Sequence, residues 1–135
     1  MISAQLTVQV PFHDIDPMEI VWHGHYVKYF ELARCALLDK IGYNYPQMRD
    51  SQYAWPIIEL HVKYVKPATF GRLICINVEL VEYEFRLKMR YLITDVATGN
   101  KLTKGTTTQV AVCMKSNEMC MSSPSVLIEK IKRLL

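Results

Sequence analysis

Three of the chain's four histidines and two of its aspartates crowd between residues 13 and 25, as His13, Asp14, Asp16, His23 and His25. Two kinds of chemistry fit such a crowd. Imidazoles at His-x-His spacing with a carboxylate can ligate a metal ion. Alternatively, a carboxylate beside a helix start can act on an activated acyl group. It attacks as a nucleophile or serves as a general base toward water. Unpaired backbone N–H groups at the helix start then hold the charge developing on the carbonyl oxygen. With a helix beginning near His25, spacing alone does not show that the side chains converge, and the acyl chemistry requires no metal, so no metal or other cofactor is expected. The acyl reading requires that helix.

The sequence supplies one. From about His25 to Ile41, Tyr26, Phe30, Ala33, Leu37 and Ile41 recur at helical spacing, and Tyr29, Leu32 and Leu38 widen the apolar face. Lys28, Glu31, Arg34 and Asp39 leave only a narrow polar strip, which predicts a largely buried helix. Gly42 stands where a C-terminal cap belongs. Before the helix, residues 2–11 alternate as a half-buried strand, and residues 12–24 are irregular around Pro17 and Gly24. After it, residues 43–53 read as a loop or short helix. Strands are expected over 56–66, ended by Pro67, then over 72–81, 84–94 and 101–114. A C-terminal amphipathic helix runs through Val126, Leu127, Ile131 and Leu134. Consecutive strands with tight connections imply an antiparallel sheet, so the fold class is α+β, one helix against a curved sheet.

Composition agrees with a single domain over residues 1–135. Half the residues are hydrophobic and 21% are charged, which excludes intrinsic disorder. No apolar run is long enough for a membrane span. The opening MISAQLTVQVPF lacks the basic start and cleavage site of a signal peptide, so a cytoplasmic location is expected. A net charge of +3 is too weak to point to nucleic acid and is compatible with an anionic ligand. Cys35, Cys75, Cys113 and Cys120 form no CxxC pair and are expected as reduced, mostly buried thiols.

The segment FHDIDPMEIVWHGHYVKYFELAR carries the pattern DxDPxxxVxHxxYxxYFExAR. This resembles the signature of the 4-hydroxybenzoyl-CoA thioesterase branch of the hotdog-fold superfamily. The resemblance continues through WPIIELHVKYVKPATFGR and, more weakly, KGTTTQVAV. The form DPMxxVWHGxYxxYFE is similar to a subgroup found in aryl-polyene and fatty-acid-type gene clusters. The resemblance implies a hotdog fold, a long central helix wrapped by a five-stranded antiparallel β-sheet. It implies a homodimer or homotetramer with sites at the dimer interface. The implied reaction is hydrolysis of an acyl thioester of coenzyme A or an acyl-carrier protein. Asp16 stands at the catalytic position, and a main-chain N–H at or around His23 would hold the thioester carbonyl, with the His23 side chain close by. Three departures stand out. Met18 and Glu19 occupy positions where glycine is usual, His25 stands for Asn or Ser, and Arg72 replaces a commonly acidic residue, adding to a phosphate-binding surface.

The remaining candidates follow from these two strands of reasoning. Trp22, Gly24, His25 and Tyr26 surround the helix start as substrate-binding residues. Trp55, Ile57 and Ile58 are candidates for an acyl pocket. Lys63 and Lys66, with Arg86, Lys88 and Arg90 on one strand face, would meet a phosphate-rich carrier or an acidic carrier protein. Asp14 is expected to fix the loop by side-chain to backbone bonds. Glu31 is expected to pair with Arg34 or Lys28, or to support the site from behind. Two other functions share these residue types. A 3-hydroxyacyl-thioester dehydratase would use His23 and Asp16 as its acid–base pair, and a non-catalytic module would bind acyl thioesters without turnover.

Overall fold

A computed structural model describes residues 2–135; Met1 lies outside the described residues. Strand β1 (Ser3–Gln9) is followed by two single 3-10 turns, Phe12–Asp14 and His23–His25, and by the long helix α1 (Tyr26–Ile41). A short helix α2 (Tyr45–Asp50) and strand β2 (Tyr53–Ala54) lead to β3 (Ile57–Tyr64), β4 (Leu73–Glu82), β5 (Leu87–Asp95) and β6 (Lys101–Gln109). Strand β7 (Val112–Cys113) and helix α3 (Ser125–Lys132) complete the chain. The main sheet is antiparallel in the order β1-β4-β5-β6-β3. This is the α+β hotdog arrangement, with α1 lying in the hollow of the sheet.

Alternation along the strands builds the core. Ile74, Ile76 and Val78 of β4 and Leu87, Met89, Tyr91 and Ile93 of β5 face inward and are buried. They pack on Tyr29, Phe30, Ala33, Leu37 and Leu38 of α1, all 0–1% exposed. Phe30 stacks on Tyr91 with ring centroids 4.4 Å apart. The helix comes this close because β6 carries Gly105 beneath it. A Cβ at that position would sit 2.4 Å from the Phe30 ring and 2.8 Å from the His61 carbonyl oxygen. Gly42 ends the helix in the left-handed conformation, φ 81°, and its N–H donates to the Leu38 and Asp39 carbonyls.

Four expectations are corrected. Arg34 does not lie in an exposed polar strip; its side chain is 2% exposed, paired with Glu31 and donating to the Tyr45 hydroxyl at 2.9 Å. Those partners make a buried guanidinium tolerable. The strand expected over 101–114 is two strands, because the chain leaves β6 after Gln109 and re-pairs as β7 with β2. The strand expected from residue 84 begins at Leu87. The four thiols are free but half-buried rather than buried.

One strand has no cover. β3 is an edge of the sheet, and Ile57, Ile58, Leu60 and Tyr64 are 38–50% exposed on it. An apolar edge strand of this kind invites pairing with another strand.

Candidate active site

The site is built on a loop that folds back on itself between β1 and α1. Ile15 bridges to Val21, and the Asp16 N–H donates to the Ile20 carbonyl at 2.9 Å. Inside this turn one Asp16 carboxylate oxygen, Oδ1, accepts the Met18 N–H at 2.8 Å, an Asx-type closure. Its other oxygen has no protein partner among the described residues. Glu19 takes the left-handed conformation, φ 66°, and its N–H donates to the Asp16 carbonyl at 2.9 Å. The turn demands the backbone freedom of glycine there, which explains why the related pattern has glycine near this position. The loop is then pinned from outside, where the Val21 N–H donates to the Ala68 carbonyl at 2.9 Å and Ile20 bridges to Thr69.

Asp14, not Asp16, is the centre of the histidine crowd. Its side chain is fully buried, 0% exposed. It accepts from Lys28 Nζ at 2.5 Å and from the Tyr29 hydroxyl at 2.6 Å, both on the first turn of α1. His13 Nε2 and His25 Nε2 approach it at 3.8 and 3.9 Å. Burial by itself would push its carboxyl up, but the bonds from Lys28 and Tyr29 outweigh burial and hold it below the ordinary carboxylate range. Tyr29 responds in the opposite sense, its phenol pushed up by burial and by the carboxylate it serves. The side-chain to backbone bond expected of Asp14 is thus not found there. Asp16 makes the side-chain to backbone bond, and Asp14 binds side chains of the helix while its carbonyl accepts the Trp22 N–H at 3.0 Å.

Asp14 therefore joins loop and helix at the point where α1 begins. The His25 N–H donates to the Trp22 carbonyl. The N–H groups of His23 and Gly24 find no acceptor among the described residues. The His23 carbonyl is held by the Tyr64 hydroxyl of β3 at 2.7 Å. Trp22 folds over Gly24 so closely that a Cβ there would meet its ring at 2.2 Å. The Trp22 ring is flanked by those of His23 and His25, with centroids 5.1 and 5.2 Å away. A half-buried carboxylate on the loop that leads into two unpartnered amides at the helix start has the parts to activate water and to stabilise an oxyanion.

Comparison with known proteins gives the same class. The description of a thioesterase-like superfamily matches residues 10–131. The chain belongs to the thioesterase-like superfamily. The Bacillus subtilis (strain 168) protein YneP, provisionally named an acyl-CoA thioesterase, is 26% identical over 110 residues, 81% of this chain and 79% of that protein. The DHNA-CoA thioesterase of Staphylococcus aureus superposes with a TM-score of 0.81 at 23% identity, covering 90% of this chain and 81% of that one. A 4-hydroxybenzoyl CoA thioesterase mutant complexed with 4-hydroxybenzoyl CoA superposes with a TM-score of 0.83 at 17% identity, covering 96% and 99%. These two structures share the fold.

The other expected residues of this thioesterase-family chain separate into groups. Trp22, Gly24 and His25 gather with His23 at the helix start. Tyr26 does not line an open surface. It is 2% exposed, and its hydroxyl accepts the Ala68 N–H at 3.1 Å, so it holds the loop that holds Val21. Trp55 is likewise buried, at 6%, donating to the Tyr43 hydroxyl. Ile57 and Ile58 are exposed on the β3 edge. Glu31 pairs with Arg34. Strand alternation puts Lys63 on the outer face of the sheet and Tyr64 on the face toward His23. Lys66 is exposed beside the Arg72–Asp95 pair. That pair neutralises Arg72, and Arg90 and Arg86 are likewise engaged by Glu79 and Glu82. Sequence reasoning missed Lys28 and Tyr29 as partners of Asp14, and Tyr64 as the holder of His23. The signal for Lys28 and Tyr29 was their place on the first turn of the helix. For Tyr64 it was the period-two alternation with Lys63.

Proposed function

We propose that the chain hydrolyses acyl thioesters, on coenzyme A or an acyl-carrier protein, to the free acid and thiol. The supporting observation is the unpartnered amide pair of His23 and Gly24 beside the loop that presents Asp16. The thioester oxygen would accept from these amides, with the His23 ring beside it. Asp16 would either take a proton from an attacking water or attack the carbonyl carbon itself through its free oxygen. In both cases the C–S bond breaks and the thiolate leaves; after direct attack, water then hydrolyses the Asp16–acyl anhydride, releasing the free acid and restoring the carboxylate. A thiol is acidic enough, near pH 8.5 when free, to leave without a strong general acid. Asp14 would act only through the helix it binds.

A second copy of the chain completes this picture. The exposed apolar edge of β3 would pair with the same edge of its twin, burying Ile58, Leu60 and Tyr64 and placing the helix start at a subunit interface. Sedimentation analysis tests this, and a monomer would contradict it. A thiol-release assay over aliphatic and aromatic acyl-CoA substrates tests the reaction. Stoichiometric free acid and thiol are expected. From a 3-hydroxyacyl substrate, an enoyl product without thiol would mean dehydration instead, and binding without either product would mean a non-catalytic module.

A further inference from the structure

The outer face of the sheet, opposite α1, carries a groove of about 1100 Å³. Two cross-strand rows run through it over all five strands. One is Gln5, Asn77, Leu92, Lys104 and Lys63; the other is Ser3, Glu79, Arg90, Thr106 and His61. Five cationic side chains line it (Lys40, Lys63, Arg90, Lys101 and Lys104) against the single acid Glu79. Glu79 is engaged with Arg90. No acidic side chain pairs with Lys63, Lys101 or Lys104 among the described residues.

Lys63 and Lys104 stand directly opposite each other in the β3–β6 register. Like charges directly opposite each other destabilise a sheet. An arrangement that costs stability in the free protein fits an anionic partner that neutralises it. The distribution of charge says what shape that partner has. Lys40 reaches the β1 end of the groove, where its Nζ donates to the Ser3 carbonyl at 2.8 Å, while the three unpaired lysines sit at the β3–β6 end. Four strand spacings separate the ends, about 19 Å. A single phosphate would meet only one end. An α-helix of about thirteen residues spans that distance. A second copy docking groove to groove would bring like charge onto like charge.

We propose that this groove docks an acidic α-helix of the protein that presents the acyl group. This rests on the thioester-hydrolase reading and selects a carrier protein over free coenzyme A as the preferred carrier. The lysine end of the groove lies along the strand that holds the helix start, since Tyr64, next to Lys63, holds His23. A carrier seated there would therefore deliver its acyl arm to the Asp16 side of the molecule.

The test uses the full-length protein and a purified acyl carrier protein, in its unacylated form for binding and carrying an acyl group for turnover. Calorimetry at low salt should show binding of the unacylated carrier that weakens as salt is raised. The double variant Lys101→Glu, Lys104→Glu should weaken that binding at least tenfold. It should raise KM for the acyl carrier protein at least tenfold more than KM for the same acyl group on coenzyme A. Equal increases on both carriers would show that the groove holds nucleotide phosphates, and would overturn the proposal. A changed oligomeric state of the variant, with carrier binding intact, would show an interface between copies and also overturn it. Hydrolysis of acyl-CoA by a protein that does not bind the carrier would refute the docking alone. Carrier binding without hydrolysis of either substrate would refute the reaction alone and leave the docking standing.

Discussion

Replacing Asp14 by alanine is expected to loosen the whole site without touching Asp16. The carboxylate is fully buried and accepts from Tyr29 at 2.6 Å and Lys28 at 2.5 Å. Without it the buried Tyr29 hydroxyl loses its acceptor, which costs about 1–3 kcal/mol. Lys28 is 44% exposed, so its ammonium returns to water and the lost pair adds no more than about 1 kcal/mol. The sum is about 1–4 kcal/mol, a fall in Tm on the order of 10 °C for a chain of this size. Tyr29→Phe alone should cost about 1–2 kcal/mol. The two substitutions combined should cost less than their sum by about 1 kcal/mol, because they remove one shared bond. Urea unfolding followed by far-UV circular dichroism measures all three variants. An Asp14→Ala protein within about 0.5 kcal/mol of the parent, or a coupling indistinguishable from zero, would refute the reasoning.

The same carboxylate sets a pH dependence. Its pKa is depressed in the folded protein, so the stability it contributes is present above about pH 4 and is lost as pH falls below that. The gap between the parent and Asp14→Asn in urea titrations should therefore close as pH drops below about 4. Glu19→Gly should stabilise by about 0.5–1 kcal/mol, because it relieves a left-handed turn at φ 66°, and thermal melts read this as a small rise in Tm. Gly24→Ala should expel the Trp22 ring that a Cβ would meet at 2.2 Å. In a Trp55→Phe background its emission should shift to the red and quench more readily with iodide; unchanged emission would contradict the close approach.

The fold was legible because the patterns behind it are local. Helical spacing from Tyr26 to Ile41 and the alternation through β4 and β5 each report a buried face directly. The break after Gln109 was not, since neither proline nor glycine follows Gln109 in KLTKGTTTQVAVCM and only the pairing of β7 with β2 divides it. Arg34 was misplaced for a related reason. Helical spacing assigns it to the polar strip, but Glu31, Tyr45 and Tyr91 lie where they can receive its charge. In the site, Asp16, Trp22, His23, Gly24 and His25 could be read from one segment. That His13 and His25 gather on Asp14 could not, because it depends on how the loop meets the first turn of α1. Tyr26 and Trp55 look like pocket aromatics by type, and only three-dimensional packing shows that each is buried and holds a neighbouring element. The opposed Lys63 and Lys104 lie forty-one positions apart, and strand register alone brings them together.

The role of Asp16 is tested most directly by thiol release from an acyl-CoA substrate in the Asp16→Asn variant. Asparagine keeps an oxygen that can accept the Met18 N–H, so the loop should hold its turn and melting should change little. The account predicts a protein with the parent's circular dichroism and assembly state, and kcat lowered by at least about a hundredfold. A folded Asp16→Asn protein that releases thiol at the parent's rate would contradict it.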